Sequence, residues 1–451
     1  MKVDIVLANI PRSDPTLTYL GTPLLKSIIQ SNGFVCKTFD WNRDLYDRTE
    51  NKQIFYRGDL DFNLEDRFEI LWNTELRSIT LEWLKEVEKY DPEWFGVTVM
   101  SQRQARLAIK IFELIREKYP HIKTIVGGFY VGMYNVWYGT KLKNEGLIDY
   151  FVNGEGDEAI VNILKGNFDF KGINSLEISD SPNLNTLPIP DFSDICHFEY
   201  DKYYTFASRG CVNNCGFCTE KEQYTKQFRF RKAELIARDM LDIKEKYNFK
   251  KILFADSLIN GNPKEFKKLI RLLDGKDIKW GGQYVCTNWM TEEDYKIAFN
   301  SGLVDVAVGV ESASERIRNE MGKYFSNEAL YQTARWTTKN KIWFTPMFII
   351  GWPTETEEDF QETLDFLTEI STYGYVGQVN PGLTLRLNSN MRTTQEFNIK
   401  KDSNGHWFYK DNDYKLRQDR WNRFVDHCKK VGLRVTERHR ETVEENYSDI
   451  Q

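Results

Sequence analysis

Residues 207–220 read ASRGCVNNCGFCTE and place Cys211, Cys215 and Cys218 within eight residues. The whole chain has seven cysteines, so nearly half of its thiols fall in one turn. Thiols this close can hold a structural zinc ion, can share no task, or can hold an iron–sulfur cluster. Zinc normally takes four ligands, as two short-spaced pairs. The other cysteines (Cys36, Cys196, Cys286 and Cys428) are scattered, and His197 has no histidine neighbour, so no second pair exists. An iron–sulfur cluster accounts for the spacing, because its irons are held by thiolates from one tight loop. A 4Fe–4S cube held by three thiolates keeps one iron without a protein ligand. An electron carrier has little use for that gap, whereas a catalyst can bind a substrate or cofactor there. Gly210 and Gly216 lie beside the cysteines. They let the backbone wrap a cluster closely, with amides donating to its sulfur.

Composition narrows the setting. Lys plus Arg is 61 against 67 for Asp plus Glu, a net charge of −6, so the basic footprint of a nucleic-acid binder is missing. The N-terminal MKVDIVLANIPRSD has a short apolar run without a basic flank and does not read as a secretory signal. No run approaches the roughly 20 apolar residues that span a bilayer. The expectation is a cytoplasmic protein with no membrane or nucleic-acid partner. Its thiols are then reduced, and a close cysteine cluster points to metal or catalysis.

The elements around the loop form two alternating series. VDIVLANI, VCKTFDW, WFGVTVM, KTIVGGFY and DYFVN read as strands, separated by helices such as TPLLKSIIQSNGF and ARLAIKIFELIREKY. Residues 43–65 read as polar and irregular, and Leu76, Ile79, Trp83 and Val87 fall on one helical face. This alternation predicts an N-terminal doubly wound parallel sheet of Rossmann type, with ligands at the carboxyl ends of its strands. SPNLNTLPIPDFSD holds three of the twelve prolines and reads as a linker. A second series follows: YYTFAS leading into the cysteine turn, then KKILFADS, IKWGGQYVC, VDVAVGVES, IWFTPMFIIGWP and YVGQVNPGLTLRL, with helices between them. About six strand–helix units predict a partial (β/α)6 barrel. A small mixed C-terminal region ends in the helix RWNRFVDHCKKVG. The expected domains are 1–180, a linker 181–200, the barrel 201–390 and a barrel-closing region 391–451.

Cys-x3-Cys-x2-Cys after the first strand of a six-unit region, with Phe217 directly before the third cysteine, resembles the signature of radical S-adenosylmethionine (SAM) enzymes. VAVGVESASERIRNEMGK is similar to that family's fourth strand and following turn, and MFIIGWPTETEEDF to its fifth. The match covers roughly residues 200–390. The resemblance implies that Cys211, Cys215 and Cys218 bind a 4Fe–4S cluster whose open iron chelates the amino and carboxylate groups of SAM. One electron, from a donor such as flavodoxin or ferredoxin, then cleaves a carbon–sulfur bond. The resulting 5′-deoxyadenosyl radical takes hydrogen from a small-molecule substrate. It also implies that Phe217 offers backbone contacts to adenine, that Ala255, Asp256 and Ser257 meet the SAM amino group, and that Glu311 and Ser312 meet the ribose. Ile349, Gly351 and Pro353 match the adenine-side turn, although Met347 departs from the glycine sometimes found at its place.

A strand–helix sheet before such a barrel resembles the cobalamin-binding-domain subfamily. The segments that carry this likeness are FGVTVMSQRQARLAIKIFELIREKYPHIKTIVGG, VNGEGDEAI and the linker LPIPDFSD. Gly127, Gly128, Gly154 and Gly156 lie at the implied corrin edge. The Asp-x-His-x-x-Gly motif of histidine-ligated cobalamin domains is missing, and His121 is the only histidine before residue 190. Histidine ligation is thereby excluded, while cobalamin binding stays open. A methylthiotransferase needs a second set of cysteines in the N-terminal domain, which holds Cys36 alone. Three functions are weighed: cobalamin-dependent C-methylation; cobalamin-free oxidation, cyclisation or rearrangement with the N-terminal domain as a docking scaffold; and a non-catalytic iron–sulfur or zinc interaction module. The ribose and adenine motifs argue against the third.

Overall fold

The computed structural model describes residues 2–11, 13–55, 60–132, 136–218, 220, 228–382, 396–403 and 406–436. The chain is α/β and forms two compact units: one runs to Thr205 and takes in Asp242–Lys250, and the other begins at Phe206. Among the described residues, no helix is long and apolar enough to cross a membrane.

In the first unit, β1 (Ile5–Asn9), β2 (Cys36–Asp40), β3 (Trp94–Thr98), β4 (Lys123–Gly127) and β5 (Tyr150–Phe151) form a parallel sheet in the order β2-β1-β3-β4-β5. Every residue of β1 is buried, as a strand covered on both faces requires. The helix Gly21–Ser31 returns the chain from β1 to β2, and Gln102–Lys118 from β3 to β4. The order reverses between β1 and β3, and such a switch point is where doubly wound sheets take ligands.

Residues 43–65 depart from the irregular segment expected of them. They contain most of the helix Trp41–Arg48, a 3-10 turn at Lys52–Phe55, the helix Leu60–Asn63 and the start of Glu65–Leu71. Asp40 caps the first of these by accepting the Arg43 N–H at 3.1 Å. The polar surroundings conceal well-spaced apolar anchors: Trp41, Leu45, Ile54, Phe55 and Phe62 are all buried. Trp41 lies flat on Trp83, ring centres 4.9 Å apart, and against Phe95 at 5.5 Å.

The proline-rich segment is no loose tether either. Lys26, 3% exposed, pairs with Asp191 at 2.9 Å and Asp194 at 2.8 Å, and Lys37 also pairs with Asp194. The Tyr200 hydroxyl donates to buried Asp40 at 2.7 Å. These ties make residues 191–200 part of the first unit.

After β6 (Lys202–Thr205), the second unit opens with a two-stranded ribbon, β7 (Ser208–Arg209) against β8 (Arg229–Phe230). Its strands β9 (Lys251–Phe254), β10 (Trp280–Tyr284), β11 (Leu303–Glu311), β12 (Trp343–Ile349) and β13 (Asn380–Gly382) lie parallel in the order β13-β12-β11-β10-β9. All six expected strands form; the GLTLRL end of the last lies largely outside the described residues, as does the expected boundary at 390. Several of the intervening helices start at sequence-encoded caps. Thr291 and Thr356 each form a reciprocal box, with Asp294 and Asp359 respectively. The final helix, Tyr414–Lys430, starts earlier than expected because Asp413 caps it.

Trp41→Ala should destabilise the first unit by about 3–5 kcal/mol, the usual cost of deleting a buried indole. Chemical denaturation followed by far-UV circular dichroism measures it.

Candidate active site

The cysteine loop has little regular structure, so its shape is imposed from outside. Gly210, at φ +81°, turns the chain sharply just before Cys211. Gly216 N–H donates to the carbonyl of Met321 at 2.9 Å, and Cys218 N–H to the carbonyl of Cys215 at 3.2 Å. The backbone N–H groups of Asn213 and Glu220 point at the sulfurs of Cys211 and Cys218, each at 3.5 Å. Cys215 Sγ lies 3.9 Å from the carbonyl of Gly322. All three thiols are free; Cys211 and Cys215 are half-buried and Cys218 is exposed. Burial raises all three, Cys215 to about 12. Amides aimed at Cys211 and Cys218, and the Lys323 ammonium nearby, oppose that rise. Among the described residues, no three Cys, His, Asp or Glu side chains converge to hold one metal ion. A cluster takes each thiolate on a separate iron, and three thiols offered by one tight loop suit that donor set.

Glu311 ends β11 at φ +65°, where the pairing with β12 slips by one residue. Backbone in that region is strained for a residue with a side chain, and such strain gathers at functional sites. The twist lets the Glu311 carboxylate reach the Lys323 ammonium at 2.7 Å, both side chains nearly buried. Burial by itself would lower the Lys323 ammonium; Glu311, together with Cys215 and Cys286, more than offsets this and raises it. The pair passes over Gly309, where any β-carbon would overlap both charged groups. Lys323 was not singled out from the sequence. Its one signal is Gly322, the left-handed stop (φ +78°) of the helix Glu315–Met321, which turns the next residue back toward the sheet.

Phe217 and Ile349, both expected on the adenine side, pack together on a cluster of Ile317, Met321, Trp352 and Trp407. Phe217 meets Trp352 edge-on, centres 6.1 Å apart. The turn after β12 is held by the C-terminal region. The Asn412 amide donates to the carbonyl of Trp352 at 2.7 Å, and Gly351 N–H donates to Glu355, which also pairs with buried Arg420 at 3.1 Å. Gly351 sits at φ +83° against Arg417. Pro353 is buried, and so is Trp407, whose ring packs rather than lining an open pocket.

Two of the residues expected at the cofactor, Ser312 and Asp256, are deeply buried. Ser312 is 1% exposed; its hydroxyl accepts the Ser314 N–H and its carbonyl accepts Arg318, so it helps shape the turn after β11. Asp256 is 3% exposed, and its oxygens accept from Ala207 and Ser208. Burial, ahead of every other influence, pushes it up to about 7. Its neighbour Ser257 is half-buried and hydrogen-bonds Glu220, while Ala255 is exposed.

In the first unit, Gln104 spans the switch point: it accepts the Met100 N–H and donates to the carbonyl of Ile10, both at 2.7 Å. Asn9 Oδ1, buried at the end of β1, has no hydrogen-bond partner among the described residues. Gly127 has room, with Val152 at 3.8 Å from a β-carbon placed there, and Gly156 likewise with Leu25 at 3.8 Å. Gly128 and Gly154 are accounted for without a corrin, since Val99 and Ser179 pack on their Cα atoms. An open Gly127 and an orphaned Asn9 fit a ligand edge.

Residues 206–367 match the radical SAM superfamily. The chain carries a radical SAM domain. Such a domain works with a 4Fe–4S cluster and SAM. An uncharacterised methyltransferase of Pyrococcus horikoshii is 26% identical over 313 residues, 63% of this chain and 66% of that protein. Bacteriochlorophyllide d C-12(1)-methyltransferase of Chlorobaculum tepidum is 27% identical over 221 residues, 47% of this chain and 48% of that one. The matched part thus spans just under two thirds of the first relative's length and about half of the second's. The radical SAM methyltransferase TsrM of Kitasatospora setae, solved with cobalamin and a [4Fe–4S] cluster, superposes with a TM-score of 0.66 at 14% identity, over 88% of this chain and 75% of that chain. That likeness establishes a shared fold, an N-terminal parallel sheet followed by the radical SAM domain.

Glu355 is raised to about 7, by burial above all, against the pull of Arg420. Its folded form therefore keeps a proton that the unfolded chain releases near pH 4–5. The stability it contributes is complete below that range and is lost as pH rises through about 7; Asp256 acts in the same sense. The thermal midpoint of cluster-free protein should fall between pH 5 and 8, and Glu355→Gln should flatten part of that slope.

Proposed function

We propose that this chain is a radical SAM enzyme that modifies a small molecule, with methylation of an unactivated carbon as the reaction. The observation that carries the reading is the meeting of three features on Met321–Lys323. The three-thiol loop bonds to Met321 and Gly322, the Glu311 carboxylate pairs with Lys323, and Phe217 and Ile349 pack against the cluster that includes Met321. In this reading Cys211, Cys215 and Cys218 hold the cluster, which supplies the electron that cleaves SAM. Phe217, Ile349, Gly351 and Pro353 form the adenine side. Glu311 would accept the ribose hydroxyls, and Lys323 beside it would offer its ammonium to the SAM carboxylate. Ser257, with Glu220, stands at the amino group. A cytoplasmic flavodoxin or ferredoxin is the electron donor.

Methylation is supported by the names of both curated relatives and by the fold shared with TsrM. Cobalamin supplies a methyl carrier where it binds, and Gly127, Gly156 and Asn9 would edge its site. The second reading is cobalamin-free oxidation, cyclisation or rearrangement; it is favoured by Gly128 and Gly154, whose packing needs no corrin.

Anaerobically reconstituted protein should hold about four irons per chain. Stoichiometric zinc without sulfide would refute the cluster. Cys215→Ala should abolish both cluster assembly and 5′-deoxyadenosine formation. Lys323→Met should keep the cluster and weaken SAM binding by at least about tenfold, the scale of one lost charge-assisted hydrogen bond. Equilibrium dialysis with hydroxocobalamin separates the readings, because protein that retains none cannot perform the cobalamin-dependent methylation.

A further inference from the structure

The chain enters the cysteine loop through Phe206, Ala207 and Ser208. Each successive backbone polar group there is held by a side chain or strand from elsewhere in the unit. The Phe206 carbonyl accepts Arg231 Nη1 at 3.1 Å. Ala207 N–H donates to both oxygens of Asp256, at 3.0 and 2.9 Å. The Ala207 carbonyl accepts the Arg231 N–H at 2.8 Å. Ser208 N–H donates to Asp256 Oδ1. The Ser208 hydroxyl donates to the same oxygen at 2.6 Å and lies 3.1 Å from the carbonyl of Leu258.

The two residues behind this grip are themselves fixed. Arg231 is fully buried, pairs with equally buried Asp239 at 2.7 Å, and lies over the Phe206 ring at 4.3 Å. Asp256 lies two residues past the end of β9 and so is placed by the sheet. This carboxylate is 3% exposed and both of its oxygens already accept from the chain's own backbone, so it is turned toward the protein rather than toward a ligand. Buried polar groups are costly to leave unmet, so the grip is rigid. Cys211 lies three residues beyond Ser208, past the turn at Gly210. The direction set at Ser208 therefore decides where the first thiol is presented.

We propose that Asp256 is a positioning residue for the iron–sulfur loop and not a ligand of SAM. Together with Ser208 and Arg231 it fixes the path along which the chain enters the three-cysteine turn. The inference rests on the cluster assignment above. It moves the carboxylate at the end of β9 from the cofactor's amino group to the protein's own backbone.

The test uses the full-length reconstituted protein and the variants Asp256→Asn and Ser208→Ala. The second removes one hydroxyl and keeps the assay informative if the first does not fold. Iron and sulfide content, the electron paramagnetic resonance signal of the reduced cluster, iron loss to a chelator, and the Kd for SAM per assembled cluster are measured. Both variants are expected to assemble a cluster with a shifted signal that releases iron at least about tenfold faster, the scale of one lost buried hydrogen bond to a charged group. SAM affinity should stay within about twofold, as for any residue outside the binding contacts. A wild-type signal and release rate with weakened SAM binding would overturn the proposal, since Asp256 would then act on SAM. A lowered unfolding temperature with an unchanged cluster signal would also overturn it, leaving a merely structural residue. Wild-type protein that assembles no iron–sulfur cluster would instead refute the cluster assignment itself.

Discussion

A loop that offers three thiolates and almost no secondary structure must be held by hydrogen bonds from elsewhere. Here the main restraint past the first cysteine is the bond from Gly216 to the Met321 carbonyl, at the end of the helix Glu315–Met321. That carbonyl is available because a helix leaves its last carbonyls unpaired. The same helix end, turned by Gly322, delivers Lys323 to Glu311. One helix terminus thus ties the thiol loop to the strand end opposite it, and a change in the helix's register would move both.

The site is otherwise built from unusual backbone supported by ordinary packing. Glu311 and Gly351 both have positive φ, and both are held by partners that allow few alternatives: Lys323 for the first, Glu355 and Arg417 for the second. The C-terminal helix is part of this support. Arg417 and Arg420 are buried against the turn after β12, so the region expected to close the barrel also sets the turn's shape. The aromatic residues of the tail, Trp407 above all, contribute packing to the same end.

The first unit shows the parallel-sheet constraint in another form. Its switch point between β1 and β3 is bridged by Gln104 and backed by the Asp40–Tyr200 hydrogen bond. These contacts make the edge a fixed shelf. The glycines along it divide by their surroundings, Gly127 and Gly156 open, Gly128 and Gly154 required by their neighbours. Glycine in a sequence signals close approach, but not whether a ligand or the protein's own backbone is what approaches.

Much of this protein was legible in its sequence. Cysteine spacing is local chemistry, and strand–helix alternation is local periodicity, so the thiol loop, the six strands of the second series and the doubly wound N-terminal sheet could all be read directly. Contacts between distant residues could not. Asp256 reads as an acidic strand end in a ligand's path, and only the folded chain shows its oxygens accepting from Ala207 and Ser208, about fifty residues earlier. Lys323 reads as one lysine among many until Gly322 turns it inward. Residues 43–65 read as irregular because the apolar anchors in and beside them pack on residues far along the chain, as Trp41 does on Trp83 and Phe95. The sequence determined which groups can do chemistry, since that depends on residue type and short spacing. The tertiary structure decided which of them are free to do it, since that depends on which donors and acceptors the fold has already paired.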